Sequence, residues 1–520
     1  MGTQSIAFIV FEVSCLAGII LMTACQTGYK KIEITYELGA KKIEAIHRLD
    51  TDEKSYGEEI TSKASQAKLM LPSDTLGFVL FDPMTQQVIE SKNESASFIP
   101  ASTTKILTTV AALKILGPQF NFKTQIFVTG RVEKNTLQGD LYLKGSGDPS
   151  LTASHLMGLV SGLVKQGIKK VNGNFYYDDS QVVSRLKIRE MGDSSAAYNP
   201  GMGALSVDFN QFVLRWQIPR ASPSTLDVTV TPNFSWISLG LAKEQKTSQQ
   251  SIIYEDSEDF ERWLISPTLN APGQQKLPVR HPTLFAVTLF TDLCKINGIE
   301  LSAPKPKAVP KKADLLVAHS SPGLLEMVER SLEYSNNLMA ELILVAAASK
   351  IAGKPVDIEQ AAQILKIWLA KEIRSTQWET LRLVNGSGLT TANVSTPSQM
   401  TSVLNYVDQF QFEGRSFESL LPVAGWKGTM ENRLVSPEAA FRVWAKTGTM
   451  FYASALAGYL YTRSHRRLIF AVLLSDPQER KLVDSFGDEV PSHIAEQANS
   501  WIKKARQVQD SLVQHWVVKY

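Results

Sequence analysis

The residue types able to do chemistry in this chain fall into three short clusters, far apart and in a fixed order. The first is Pro100-Ala101-Ser102-Thr103-Thr104-Lys105, opening an apolar run that reads as a helix from Pro100 to Leu116 with Gly117-Pro118 as its stop. Serine and lysine three apart on a helix share one face, a single turn apart, so the ammonium can reach the hydroxyl. A serine hydroxyl is a weak nucleophile until a base takes its proton. A lysine with an ordinary pKa of about 10.4 must fall by about 3 units to be that base near neutral pH, a change of about 4 kcal/mol that burial and a second cation would have to supply. The second cluster, Ser335-Asn336-Asn337, offers a hydroxyl to relay a proton between Lys105 and a leaving amine, and an amide for a substrate hydrogen bond. The third, Lys446-Thr447-Gly448-Thr449 on a predicted strand, supplies a cation, two hydroxyls suited to a carboxylate, and a glycine that lets substrate backbone approach. The backbone N–H groups of Ser102 and Thr449 would then face the oxyanion.

Spacing alone would not single out Ser102, because the same serine–lysine spacing recurs at Ser65/Lys68, Ser184/Lys187, Ser302/Lys305 and Ser500/Lys503. Context does: Ser102 opens an apolar helix just after a strand hairpin, and both partner clusters follow it. Other chemistries find little support. The 54 basic and 51 acidic side chains leave a net charge of +3 over 520 residues, with no nucleic-acid footprint. The seven histidines are scattered and no Cys/His group has metal-ligand spacing, so neither a metal nor another cofactor is expected. Cys15 and Cys25 lie near the N-terminus, and Cys294 reads as a small buried hydrophobe.

The elements that must position the clusters can be followed along the chain. Val13 to Ala24 is an apolar run of signal-peptide length leading into Cys25, and Leu21-Met22-Thr23-Ala24-Cys25 resembles a lipoprotein cleavage site. Export is expected, with lipidation of Cys25 as a membrane tether, an uncleaved anchor or a misassigned start as the alternatives. A polar arm (26–67) precedes LGFVLFD and QVIES, two strands of a hairpin turned at Pro83-Met84-Thr85-Gln86. From about Gly130 short alternating segments read as a β-rich region to about His281. The lysines of SAPKPKAVPKKAD mark a solvated loop, and long helical segments follow around Pro322–Lys350 and Asp357–Ile373. FRVWAKTGTM, SALAGYLYT and RRLIFAVLLSD read as an antiparallel meander. The apolar stripe Ile494, Ala498, Trp501, Ala505, Val508, Leu512 and Trp516 reads as the core face of a last helix.

A serine–lysine pair, then Ser-x-Asn, then Lys-Thr-Gly resembles the pattern of penicillin-binding proteins and class A β-lactamases. The longer segments GDLYLKGSGDPSL, ALSVDFN, NGSGLTTANVSTP, LPVAGWKGTMENR and AKTGTM resemble the class C low-molecular-mass penicillin-binding proteins, D-alanyl-D-alanine carboxypeptidases and endopeptidases, over roughly Leu76 to Asp476. The stretch of about 230 residues between Ser102 and Ser335 fits, because that family carries an insertion there. The resemblance implies an α+β, transpeptidase-like (serine β-lactamase-like) fold, an antiparallel sheet flanked by helices. It would be built from 68–130 and 282–507 with a β-rich insert at 131–281, a leader at 1–25, the arm at 26–67 and a helix end at 508–520. It also implies a periplasmic enzyme whose partners are peptidoglycan stem peptides and β-lactam antibiotics.

Two departures bear on specificity. The family often has arginine where this chain has Thr391, and glutamine where it has Phe451, both facing the substrate side chain, so a weaker preference for a charged diaminopimelate end is expected. Asp178, in Tyr177-Asp178-Asp179-Ser180, matches a proposed contact to a substrate amine, against the plainer reading of a turn residue. A β-lactamase or esterase on the same scaffold would share the three clusters, whereas a non-catalytic wall-binding protein would be expected to lose Ser102, Lys105 or Lys446.

Overall fold

The structure, a computed structural model, describes residues 33–38, 41–46 and 71–520, apart from 191–194, 218–226, 232–234, 242–251, 257–259, 267–268, 270, 375 and 488–489. Cys25 and the leader lie outside the described residues; the arm contributes a hairpin pairing Glu33–Leu38 with Lys41–Ile46. The helices are α1 (Thr104–Leu116), α2 (Ala153–Lys165), α3 (Pro282–Ile296), α4 (Leu324–Glu333), α5 (Asn337–Ala352), α6 (Ile358–Glu372), α7 (Pro397–Val407), α8 (Pro477–Ser485) and α9 (Ser492–Lys519).

Five antiparallel strands form the sheet that carries the third cluster, in the order Val443–Met450, Ala453–Tyr461, Arg467–Ser475, Leu76–Asp82, Gln87–Lys92. Its central strands are apolar nearly throughout because both faces are covered. Ala457, Tyr459, Ile469 and Ala471 pack with α1, α5, α6 and α7, while the alternate residues Leu456, Leu460, Leu468, Phe470 and Val472 pack with α9. All seven stripe positions of α9 are buried there. A large apolar side chain contributes about 1.5–3 kcal/mol when buried, so α9 is a structural wall of the sheet. No helix among the described residues is long and apolar enough to cross a membrane.

A second core lies between the first and second clusters. Lys305–Pro306, Phe175–Asp178, Leu141–Lys144, Lys123–Val128 and Asp314–Ser320 form a mixed five-stranded sheet, joined by smaller sheets whose Phe212 and Trp263 enter the same core. α3 belongs here too: Phe285, Ala286, Phe290 and Cys294 pack with Ile126, Leu143 and Phe175. Lys123–Val128 and α3 thus share the second core with the expected insert, while Val182, Ile188, Met202 and Ala204 from within that insert pack in the first core. An amphipathic helix at a boundary does not announce which sheet its apolar face will meet.

The helical segment expected over Pro322–Lys350 is broken. α4 ends at Glu333, Ser335 takes a positive φ of 55°, and Asn336 starts α5 by accepting a hydrogen bond from Met339 N at 2.9 Å. The break places the second cluster at a helix start, from which Asn337 reaches Lys105.

Candidate active site

Ser102 sits on a short 3₁₀ turn (Ala101–Thr103) just ahead of α1, not inside the helix as its spacing suggested. Ala101 has a positive φ of 44°, a conformation that a non-glycine residue keeps only when its surroundings hold it. They do so from two sides. A Cβ on Gly388 would lie 1.8 Å from Ala101 O, and one on Gly448 would lie 2.7 Å from Pro100 O and 3.0 Å from Ser102 N. Both glycines let backbone close on the nucleophile turn where any side chain would collide.

Lys105 is fully buried one turn on. Its Nζ lies 3.0 Å from Ser102 Oγ and donates to Asn337 Oδ1 and to Ser387 O, both at 2.7 Å. Burial lowers its pKa to about 7 against the opposing pull of Glu341. Once Nζ loses a proton it keeps two donors for Asn337 and Ser387 and turns a lone pair toward Ser102, which can then donate its own hydroxyl proton.

Glu341, one turn beyond Asn337 on α5, is fully buried and accepts from Gly386 N at 2.9 Å and Ser387 N at 2.8 Å. It thereby holds the loop whose Ser387 carbonyl receives Lys105, and burial raises its pKa despite those bonds and the lysine. Sequence reasoning missed Glu341; the one signal was an acidic residue in an otherwise apolar helix, four positions after Asn337. It also missed the part of Ser387, although its segment had been singled out.

Lys446 is fully buried on the edge strand, where its Nζ donates to Thr447 O at 2.8 Å. Burial and then the charge of Lys105 hold its pKa well below the ordinary value. Thr449 is exposed, and its Oγ1 accepts from Arg506 Nη2 at 3.2 Å. Asn337 also donates through Nδ2 to Tyr198 O at 2.9 Å, which leaves one amide hydrogen for a ligand. Ser335 is half-buried and makes no hydrogen bond to Lys105, whose bonds go to Ser102, Asn337 and Ser387.

The expected specificity residues separate. Thr391 Oγ1 donates to Asp484 Oδ2 at 3.1 Å; Arg480 binds the same carboxylate and donates to Phe451 O at 3.2 Å, and Arg189 from the inserted region lies 3.4 Å from Asp484. Thr391 and Phe451 therefore border one small charged group that the sequence did not reveal. Asp178 is only 2% exposed, and it accepts at Oδ1 from Ser180 N (3.1 Å) and Ser180 Oγ (2.6 Å) and at Oδ2 from Val309 N (3.0 Å), with Lys144 Nζ at 3.3 Å. The carboxylate ties a turn, with Ser180, Val309 and Lys144 as its partners.

Comparisons with known proteins give the family. The sequence profile of the "D-Ala-D-Ala carboxypeptidase 3 (S13) family" matches residues 58–494. The chain belongs to this family. Among S13-like relatives, D-alanyl-D-alanine carboxypeptidase DacB of Haemophilus influenzae is 26% identical over 413 residues, covering 77% of this chain and 85% of its own. The D-alanyl-D-alanine carboxypeptidase of Actinomadura sp. (strain R39) is 26% identical over 411 residues, 74% of each chain. The crystal structure of penicillin binding protein 4 (dacB) from Haemophilus influenzae superposes with a TM-score of 0.71 at 25% identity, over 79% of this chain and 93% of that one. The chain is thus a hydrolase, a serine-type D-Ala-D-Ala peptidase of peptidoglycan with the transpeptidase-like α+β fold.

Proposed function

We propose that Ser102 attacks the carbonyl between the two D-alanines and carries the acyl group, that Lys105 takes its proton, and that Lys446, held below its ordinary pKa, becomes a cationic anchor when an anionic substrate arrives. The observation that carries this is a fully buried lysine of pKa about 7 with its Nζ 3.0 Å from the serine oxygen. Asn337 holds Lys105 and offers its remaining amide hydrogen to the peptide, and the Ser102 and Thr449 N–H groups receive the oxyanion. Ser335, at the turn just before Asn337, passes the proton to the amine once substrate is present. Thr447 and Thr449 hold the substrate's terminal carboxylate, beside Gly448. The same acylation chemistry opens a β-lactam ring, so the protein is penicillin-sensitive.

The enzyme works outside the cytoplasm, in the periplasm, tethered through Cys25, and both trims terminal D-alanine and cuts crosslinks. Thr391 alone suggested weak preference for a diaminopimelate end. Arg480 and Arg189 against Asp484 leave one net positive charge at that place, the same as a single arginine, so part of the preference is retained. Digestion of purified wall material tests the reading: shortened stem peptides together with monomers from crosslinked dimers are expected, and release of neither would end it.

A further inference from the structure

The strand that carries the third cluster ends beside a cation from another element. Arg506 lies on the exposed side of α9 and donates to Thr449 Oγ1 at 3.2 Å. The nearest acid along that helix, Asp510, is committed elsewhere. Arg433 places Nε 3.0 Å from both of its oxygens and Nη2 2.6 Å from one, and Nη2 also donates to Gln509 Oε1. Among the described residues Arg506 has no ion-pair partner, and burial together with the Arg433 charge lowers its pKa. A cation set beside another cation, with most of its five N–H donors uncommitted, is a site that an arriving anion would relieve.

Lys446 cannot easily play that part alone. It is fully buried, points one bond at its own strand, and is pushed toward neutrality. A terminal carboxylate lying along Thr447–Thr449 would meet a guanidinium before it met that ammonium.

We propose that Arg506 is a substrate-binding residue: with Thr449 Oγ1 it receives the C-terminal carboxylate of the D-alanyl-D-alanine end, and the ring carboxylate of a penicillin. This rests on the reading of the Thr447–Thr449 strand as the substrate's seat, and it adds to that reading a charged partner from α9. A guanidinium suits the task because it can offer two parallel N–H groups to one carboxylate.

The test compares acylation by benzylpenicillin with acylation by its methyl ester, which keeps the ring but not the charge, in the wild type, Arg506→Gln and Arg506→Lys. The wild type should favour the acid. Arg506→Gln should slow acylation by the acid by roughly ten- to a hundredfold, the weight of one charge-assisted contact, while the ester rate stays within about twofold. Arg506→Lys should recover part of the loss. Because each variant is read as an acid-to-ester ratio, a general loss of folding lowers both rates and leaves the ratio unchanged. An unchanged ratio overturns the proposal, whether both rates fall or neither does. Failure of the wild type to be acylated by the acid would instead remove the underlying reading of the strand.

Discussion

Asp178 in the inserted region and Glu341 beside the nucleophile are both buried carboxylates that accept main-chain hydrogen bonds and face a lysine, yet they are driven in opposite directions. Burial pushes Asp178 up, but bonds from Ser180 and Val309 and the charge of Lys144 outweigh it, and its pKa is lowered. Burial of Glu341 prevails over its bonds and over Lys105, and its pKa is raised. The two lysines differ likewise: Lys144 is partly exposed, whereas Lys105 is fully buried and brought to about 7. A carboxylate satisfied by well-aligned donors and a solvated cation is a fixed charge and does a structural job. Two or three charges buried together, each pressed toward neutrality, are a proton reservoir. Asp178 in the inserted region shows the first arrangement and the cleft the second; the contrast belongs to these two sites, because Glu261, elsewhere in the inserted region, is buried with its pKa raised to about 7.

Substitutions can break that contrast, starting with the largest expected effect. Lys105→Arg keeps the charge but abolishes the base, since a guanidinium stays protonated, and acylation should fall by about a thousandfold or more, toward the upper range for general-base catalysis. Lys446→Arg, which keeps a cation available at this position, should cost less, about ten- to a hundredfold. Stopped-flow acylation by a chromogenic β-lactam measures both; equal losses would argue against distinct roles. Next comes pH. The neutral form of Lys105 grows as pH rises through its lowered pKa, so acylation should rise with pH around a midpoint of about 7 and fall away in acid. A midpoint near the ordinary lysine value would place the base elsewhere. Smallest in activity is Asp178→Asn. A carboxylate with a lowered pKa stabilises the fold above its ordinary titration range and loses that contribution in acid, so at neutral pH the variant should lose about 1–3 kcal/mol of stability. Its acylation rate at a permissive temperature should match the wild type, as thermal melts and adduct formation together would show.

Part of the cleft was legible in sequence: the Ser102–Lys105 spacing put hydroxyl and ammonium within reach, and the ordered pattern of three clusters pointed to Asn337 and Lys446, whose partners include Lys105. The break before Asn336 was not, since an uninterrupted apolar pattern on either side of it reads as one helix and only the positive φ at Ser335 reveals the turn. Glu341 was hidden because a lone acid within an apolar helix looks like a solvated position until its partners, Gly386 and Ser387, arrive from 45 residues away. For the same reason the group around Asp484 was invisible. It joins Thr391, Arg480 and Arg189 from three parts of the chain, and no local pattern records such a meeting. That α3 packs into the second core was likewise unreadable, because periodicity gives a helix its apolar face and not the neighbour of that face.

The central claim is that Ser102 becomes covalently acylated with help from the buried lysine beside it. Intact-mass measurement after incubation with benzylpenicillin tests it directly. The wild type should gain the mass of one penicilloyl group and Ser102→Ala should gain none, with peptide mapping placing the adduct in Phe98–Lys105; an adduct retained by Ser102→Ala, or mapped to another serine, would contradict it.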